Sequence, residues 1–187
     1  MIRRCEPTLR KELDRKWIWI ALGVIVGLIL LVIVVGMLIP KSHVASRKAR
    51  FNQTPQTVWD AITDFQGQTS WRTSLTKVEH LPDRDGKAVW RETNRRTGTL
   101  AMMITTSDPP HRMVSQIVDN KSFGGTWTYE ISSTDAGCEL TITERGEIYH
   151  PIFRVFARFV FGYTATMEKY LKQVGTKFGE AIEPTAP

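Results

Sequence analysis

Two carboxylates stand where carboxylates are costly. Glu144 continues the alternation of Leu140 and Ile142, and Glu92 continues that of Ala88 and Trp90, so both fall on the apolar side of a two-residue repeat. A carboxyl group held against apolar neighbours has a raised pKa and can act as a general base or a polar anchor. A plainer account puts both near strand ends, in solvent or paired with Arg91, Arg145 or Arg112. The same parity aligns Trp90, Met102, Trp127 and Tyr129, and a later helical repeat adds Phe156, Val160, Tyr163 and Met167. Aromatic and methionine side chains make an adaptable wall for an apolar ligand, and a Tyr hydroxyl or indole N–H can orient its polar end. The same residue types also fill ordinary cores. Glu144 is the candidate catalytic residue, and it joins these residues as the candidate ligand-binding set.

Other chemistry is thinly represented. The chain has no G-x-S-x-G elbow, no phosphate-binding glycine loop and no visible nucleophile–base–orienter set. The histidines (His43, His80, His111, His150) are scattered, and Cys5 and Cys138 have no metal-type spacing, so no metal and no cofactor are expected. One cysteine precedes a long apolar run and the other lies far beyond it, which argues against a disulfide. Cys5 reads as a free thiol, with acylation beside a membrane as the alternative. The net charge of +6 divides evenly between residues 1–40 and the remainder, with no long basic run, so nucleic acid is not an expected partner.

From Trp17 to Pro40 no residue is charged. Twenty-three residues at helical rise reach about 34 Å, enough for a hydrocarbon core of about 30 Å. Trp17 and Trp19 suit the headgroup belt, and Lys16 and Lys41 bracket the run. The stretch is too long for a signal peptide, and His43-Val44-Ala45 is a poor cleavage site. The reading is a single-pass membrane protein: a basic tail over 1–16, a transmembrane helix over 17–39, a connector over 40–45, one domain over 46–182 and a tail over 183–187. More Lys and Arg precede the span than follow it, which points to a cytoplasmic N-terminus and an exported domain. Gly23 and Gly27 form a G-x-x-x-G pair that could let two helices dimerise, although glycine is common in membrane helices.

The elements that must position the candidate residues follow. Ala49 and Phe51 alternate inward in a first strand. Thr54-Pro55 starts a helix carrying Val58, Trp59, Ile62 and Phe65, and a short second one carries Trp71. Strands are then expected over Leu75 to Leu81, Lys87 to Thr93, Thr99 to Thr106, His111 to Val118, Thr126 to Ser133 and Glu139 to Ile148. Turns lie between them, including Pro82 to Gly86 and Asp119 to Gly125. Short turns imply an antiparallel, twisted sheet. His150-Pro151 opens a final helix of about thirty residues, with Phe156, Val160, Tyr163, Met167, Tyr170, Leu171, Val174 and Phe178 on one stripe. Ile152, Phe153, Val155, Phe159 and Phe161 lie outside that stripe and need some other cover.

This order, with Thr54-Pro55-Gln56-Thr57-Val58-Trp59-Asp60-Ala61-Ile62-Thr63-Asp64-Phe65, Trp71 and Leu140 through Ile148 as landmarks, resembles the START-like superfamily. That group is also called SRPBCC, or polyketide cyclase/dehydrase and lipid-transport-like proteins. The resemblance implies an α+β helix-grip fold, in which a curved antiparallel sheet of about seven strands wraps a long C-terminal helix around an elongated apolar cavity. It also implies a lipid or other hydrophobic small molecule as ligand. A cyclase- or hydrolase-type enzyme and a protein-interaction module with a filled core are the alternatives.

Overall fold

The computed structural model describes residues 7–187, with side chains from Arg15 onward; Cys5 and the start of the basic tail lie outside the described residues. Helix α1 (Pro7–Leu38) is followed by β1 (Ser42–Phe51), α2 (Pro55–Thr63), a 3-10 turn (Gly67–Ser70) and six further strands. These are β2 (Leu75–Arg84), β3 (Lys87–Asn94), β4 (Gly98–Asp108), β5 (Arg112–Val118), β6 (Phe123–Thr134) and β7 (Gly137–Ile148). The strands form one antiparallel sheet in the order β1-β7-β6-β5-β4-β3-β2. Only β1 pairs out of sequence, because α2 carries the chain across the inner face to the far edge before β2 to β7 meander back. The sheet therefore has two edges, and part of the β1 edge is covered where Lys48 pairs through its backbone with Thr185.

Local chemistry accounts for the start of α2. The Thr54 side chain accepts a hydrogen bond from the Thr57 backbone N–H, and Pro55 supplies a preset φ at the first helical position. The helix then buries Val58, Trp59 and Ile62 against Met113, Tyr129, Ile131, Leu140 and Ile142 of the sheet. Strand parity holds as the residue types imply, with Tyr129 opposite Ile142 and Trp90 opposite Met102.

Three expectations need correction. The connector over 40–45 is mostly strand, since β1 begins at Ser42 and pairs with Glu147. Gly124 and Gly125, expected in a turn, belong to β6; a Cβ on Gly125 would lie 2.2 Å from the Arg145 carbonyl oxygen, so glycine permits a close backbone approach there. The final helix is not continuous. It consists of α3 (Pro151–Phe156), a π turn (Ala157–Phe161), a break at Gly162 and α4 (Ala165–Lys177). Gly162 has φ +72°, outside the helical region, and the segment before it packs mainly on α1, touching the sheet at β7. The gripping helix is thus α4 alone, with Met167, Tyr170, Leu171 and Val174 buried.

Candidate functional site

Strand register puts Trp90, Glu92, Leu100, Met102, Ile104, Ile117, Trp127 and Glu144 on the inner face of the sheet with Tyr129 and Ile142. Their burial divides that face into two regions. Tyr129, Ile131, Leu140 and Ile142 are closed off by α2 and α4. Leu100, Met102, Ile104, Ile117, Trp90 and Trp127 are only half-buried, so this stretch of the inner face is an apolar trough that is partly covered, with Phe65 stacked on Trp90 at 4.9 Å.

The floor of the trough is polar and aromatic. Tyr170 of α4 meets the rings of Trp71, Trp127 and Tyr129 at centroid distances of 6.0, 6.1 and 5.9 Å. Arg72 stands over the Tyr170 ring at 5.1 Å and donates through one Nη to both Glu92 and Gln68, each at 2.6 Å. Burial opposes the Arg72 charge, but the Glu92 carboxylate overrides it and raises the guanidinium above its ordinary value. The Arg72 Nε is buried with no hydrogen-bond partner among the described residues. Burial raises the Tyr129 phenol far above its usual range, with the nearby Tyr170 adding to the effect; it raises Tyr170 strongly too. Both hydroxyls are therefore neutral donors and acceptors at physiological pH.

Toward the α1 end of the sheet lies a second polar group. His43, at the start of β1, stacks on Tyr163 with centroids 3.9 Å apart, and its Nε2 is 3.5 Å from Glu144 Oε1. Gly146 makes room for the imidazole, since a Cβ there would sit 2.4 Å from His43 Cε1. Burial raises the Glu144 carboxyl, and the Trp127 indole N–H, hydrogen-bonded to it, only partly offsets this. Burial also lowers His43. An ion pair would shift each group the other way; at 3.5 Å desolvation outweighs attraction, and both side chains lean toward their neutral forms. A carboxyl group beside an imidazole at this distance can pass a proton or hold a ligand's polar end.

The structure brings together Trp90, Met102, Trp127, Tyr129 and Glu144 as one face. Met167 is fully buried beneath it, and Tyr163 sits at the helix break against His43. Phe156 and Val160 are elsewhere: on the segment before the break, 43% and 63% exposed, because the helical stripe assumed a continuity that Gly162 interrupts. His43, Arg72 and Tyr170 are additions. His43 shares inward parity with Ala45, Ala49 and Phe51, a signal present in the sequence. Arg72 follows the 3-10 turn and carries no periodic signal. Among the described residues no group of three or more His, Cys, Asp or Glu side chains could hold a metal. A cleft of about 340 Å³ between Gln116, Asn120, Arg145 and Tyr149 is polar and open to solvent, and it shares Ile117 with the inner face.

A curved antiparallel sheet gripping a C-terminal helix, with an apolar inner face left partly open, defines a helix-grip protein. Residues 42–181 match the family of polyketide cyclase / dehydrase and lipid transport proteins, and the chain belongs to that family. Solved structures of the same fold include the Zhui aromatase/cyclase of Streptomyces sp. R1128, 15% identical with TM-score 0.62, covering 73% of this chain and 93% of that one. A START superfamily protein from Mycobacterium smegmatis is 13% identical with TM-score 0.58, over 72% of this chain and 96% of that one. Truncated norcoclaurine synthase from Thalictrum flavum is 9% identical with TM-score 0.60, over 73% and 93%. At these identities the likeness is one of fold. No curated protein matches the chain.

Proposed function

We propose that this protein binds a lipid or other hydrophobic small molecule in the inner trough and holds that trough beside a membrane through α1. The observation that carries the reading is the half-buried wall of Trp90, Leu100, Met102, Ile104 and Ile117 on the concave face, where a protein core would be closed. An apolar ligand laid along it leaves water at roughly 25 cal/mol per Å² buried. Glu144, partly exposed on the same face, supplies a polar contact for its head. Arg15–Leu38 is long and apolar enough to cross a membrane, and none of its most apolar stretch is buried, unlike a core helix. In this reading the Lys and Arg balance sets the N-terminus cytoplasmic and the domain outside. A Cβ at Gly23 or Gly27 would meet nothing within 4 Å, so that side of α1 is open to a second helix.

Native mass spectrometry of the full chain purified in detergent, with lipid extraction, tests the proposal. A reproducible co-purified hydrophobe is expected. An empty protein with a closed inner face would instead favour an interaction module. A cyclase- or hydrolase-type activity is the second reading, favoured by the His43–Glu144 contact. On that reading Glu144→Gln abolishes turnover and leaves ligand affinity nearly intact.

A further inference from the structure

The segment between β7 and α4 is anchored on one side and bare on the other. A Cβ at Gly36 of α1 would lie 2.2 Å from the Pro151 carbonyl oxygen, so glycine lets α1 and α3 touch backbone to backbone. Arg154 is 6% exposed and donates to Ile148 O and Tyr149 O, each at 2.8 Å, and to Gly36 O and Ile39 O at 3.3 and 3.4 Å. It therefore ties the end of β7 to the unsatisfied carbonyls closing α1, a position that favours a cation. The opposite side presents Phe153, Phe156, Phe159, Val160 and Phe161, up to 69% exposed.

We propose that Pro151–Phe161 is an interfacial membrane insertion, its aromatic side occupied by the lipid bilayer that α1 crosses. This rests on α1 being a span, and it adds that the domain itself enters the same bilayer. The depth follows from the contact. The partly covered residues at the end of α1 and just after it run from Val32 to Ile39, about 10 Å at helical rise, and they belong to the apolar stretch itself. Whatever packs beside them lies at the boundary of acyl chains and headgroups, the depth at which amphipathic interfacial helices sit. Arg154 satisfies the carbonyls that would otherwise meet lipid unpaired. Arg158, within the segment, and Lys41, just beyond α1, are both exposed and suit anionic phosphates at headgroup level. The same aromatic cluster in water would be a large contiguous apolar patch. Because Tyr163 follows this segment and stacks on His43, insertion would set one end of the trough at the bilayer surface.

The test uses the full chain in vesicles of phosphatidylcholine and phosphatidylglycerol, with Cys5→Ser and a fluorophore on Phe159→Cys, Leu28→Cys or Asp135→Cys. Cys138 is fully buried and stays unlabelled. The expected result is that the 159 and 28 reporters are quenched several-fold more by brominated lipid than by aqueous iodide, with the reverse at 135. Iodide quenching at 159 with lipid quenching at 28 would overturn the insertion and leave the span standing. Iodide quenching at both would remove the span and the insertion together. A reporter at 159 shielded from both quenchers would show a protein occupant, such as a second copy, and would also overturn it.

Discussion

The imidazole of His43 lies flat on the phenol of Tyr163, with ring planes 16° apart. One ring belongs to the start of the β1 edge strand and the other to the residue after the Gly162 break, so the stack joins the sheet to the hinge of the closing helix. Offset aromatic pairs contribute about 0.5–1.5 kcal/mol beyond their area. A double-mutant cycle on His43→Ala and Tyr163→Ala, followed by urea denaturation in detergent, is expected to show coupling of about 1 kcal/mol. Strict additivity would mean that the stack holds nothing.

Glu144 gives the domain a pH signature. Its carboxyl is raised above the ordinary 4.5 by burial, so the folded chain keeps this proton after the unfolded chain has released it. Stability therefore falls as pH rises from the unfolded value through the folded one. His43, lowered from 6.5 by burial, contributes the opposite slope below that value. Glu144→Gln removes only the first contribution. Thermal midpoints of variant and wild type should diverge in the variant's favour as pH increases, and a pH-independent difference would contradict the buried-acid account.

How far the fold was legible depends on the kind of signal. Alternation in Leu140, Ile142 and Glu144, or in Trp127, Tyr129 and Ile131, was sufficient because a strand's side chains have only two directions to point. Thr54-Pro55 was sufficient because a helix start is decided locally. The closing helix misled because Phe156 and Val160 keep helical spacing with Met167 while Gly162 turns the chain between them. What places that first segment is a contact with Gly36, over a hundred residues away, and no local pattern records it. The Arg72–Glu92 pair was half visible: parity marked Glu92 as inward, but its partner comes from an irregular turn with no period to read.

That pair is a costly polar element of the interior. Glu92 and Arg72 meet at 2.6 Å with side chains 10% and 16% exposed. Arg72→Met would strand the carboxylate, and breaking such a buried pair costs about 3–5 kcal/mol. Arg72→Met combined with Glu92→Leu should recover much of that loss, since apolar replacement of both partners is often neutral. Denaturant midpoints of the two proteins decide it. A single variant within about 1 kcal/mol of wild type would place the pair in water instead.

The proposed hollow can be probed by filling it. Met102 lies on the half-buried part of the inner face, opposite Trp90 and Ile117, whereas Ile142 is fully buried under α2 and α4. Adding volume to a packed core costs about 1–3 kcal/mol or more, but adding it to open space does not. Met102→Trp should thus change stability by less than about 1 kcal/mol, while Ile142→Trp destabilises by at least the packed-core amount. Met102→Trp should also lower the co-purified hydrophobe by about tenfold, equivalent to some 1.4 kcal/mol of lost affinity. The contrast between the two positions is the decisive readout, because both are inward, apolar and on the same sheet. If Met102→Trp unfolds the domain as Ile142→Trp does, the wall is already packed, and the trough has no room for a ligand.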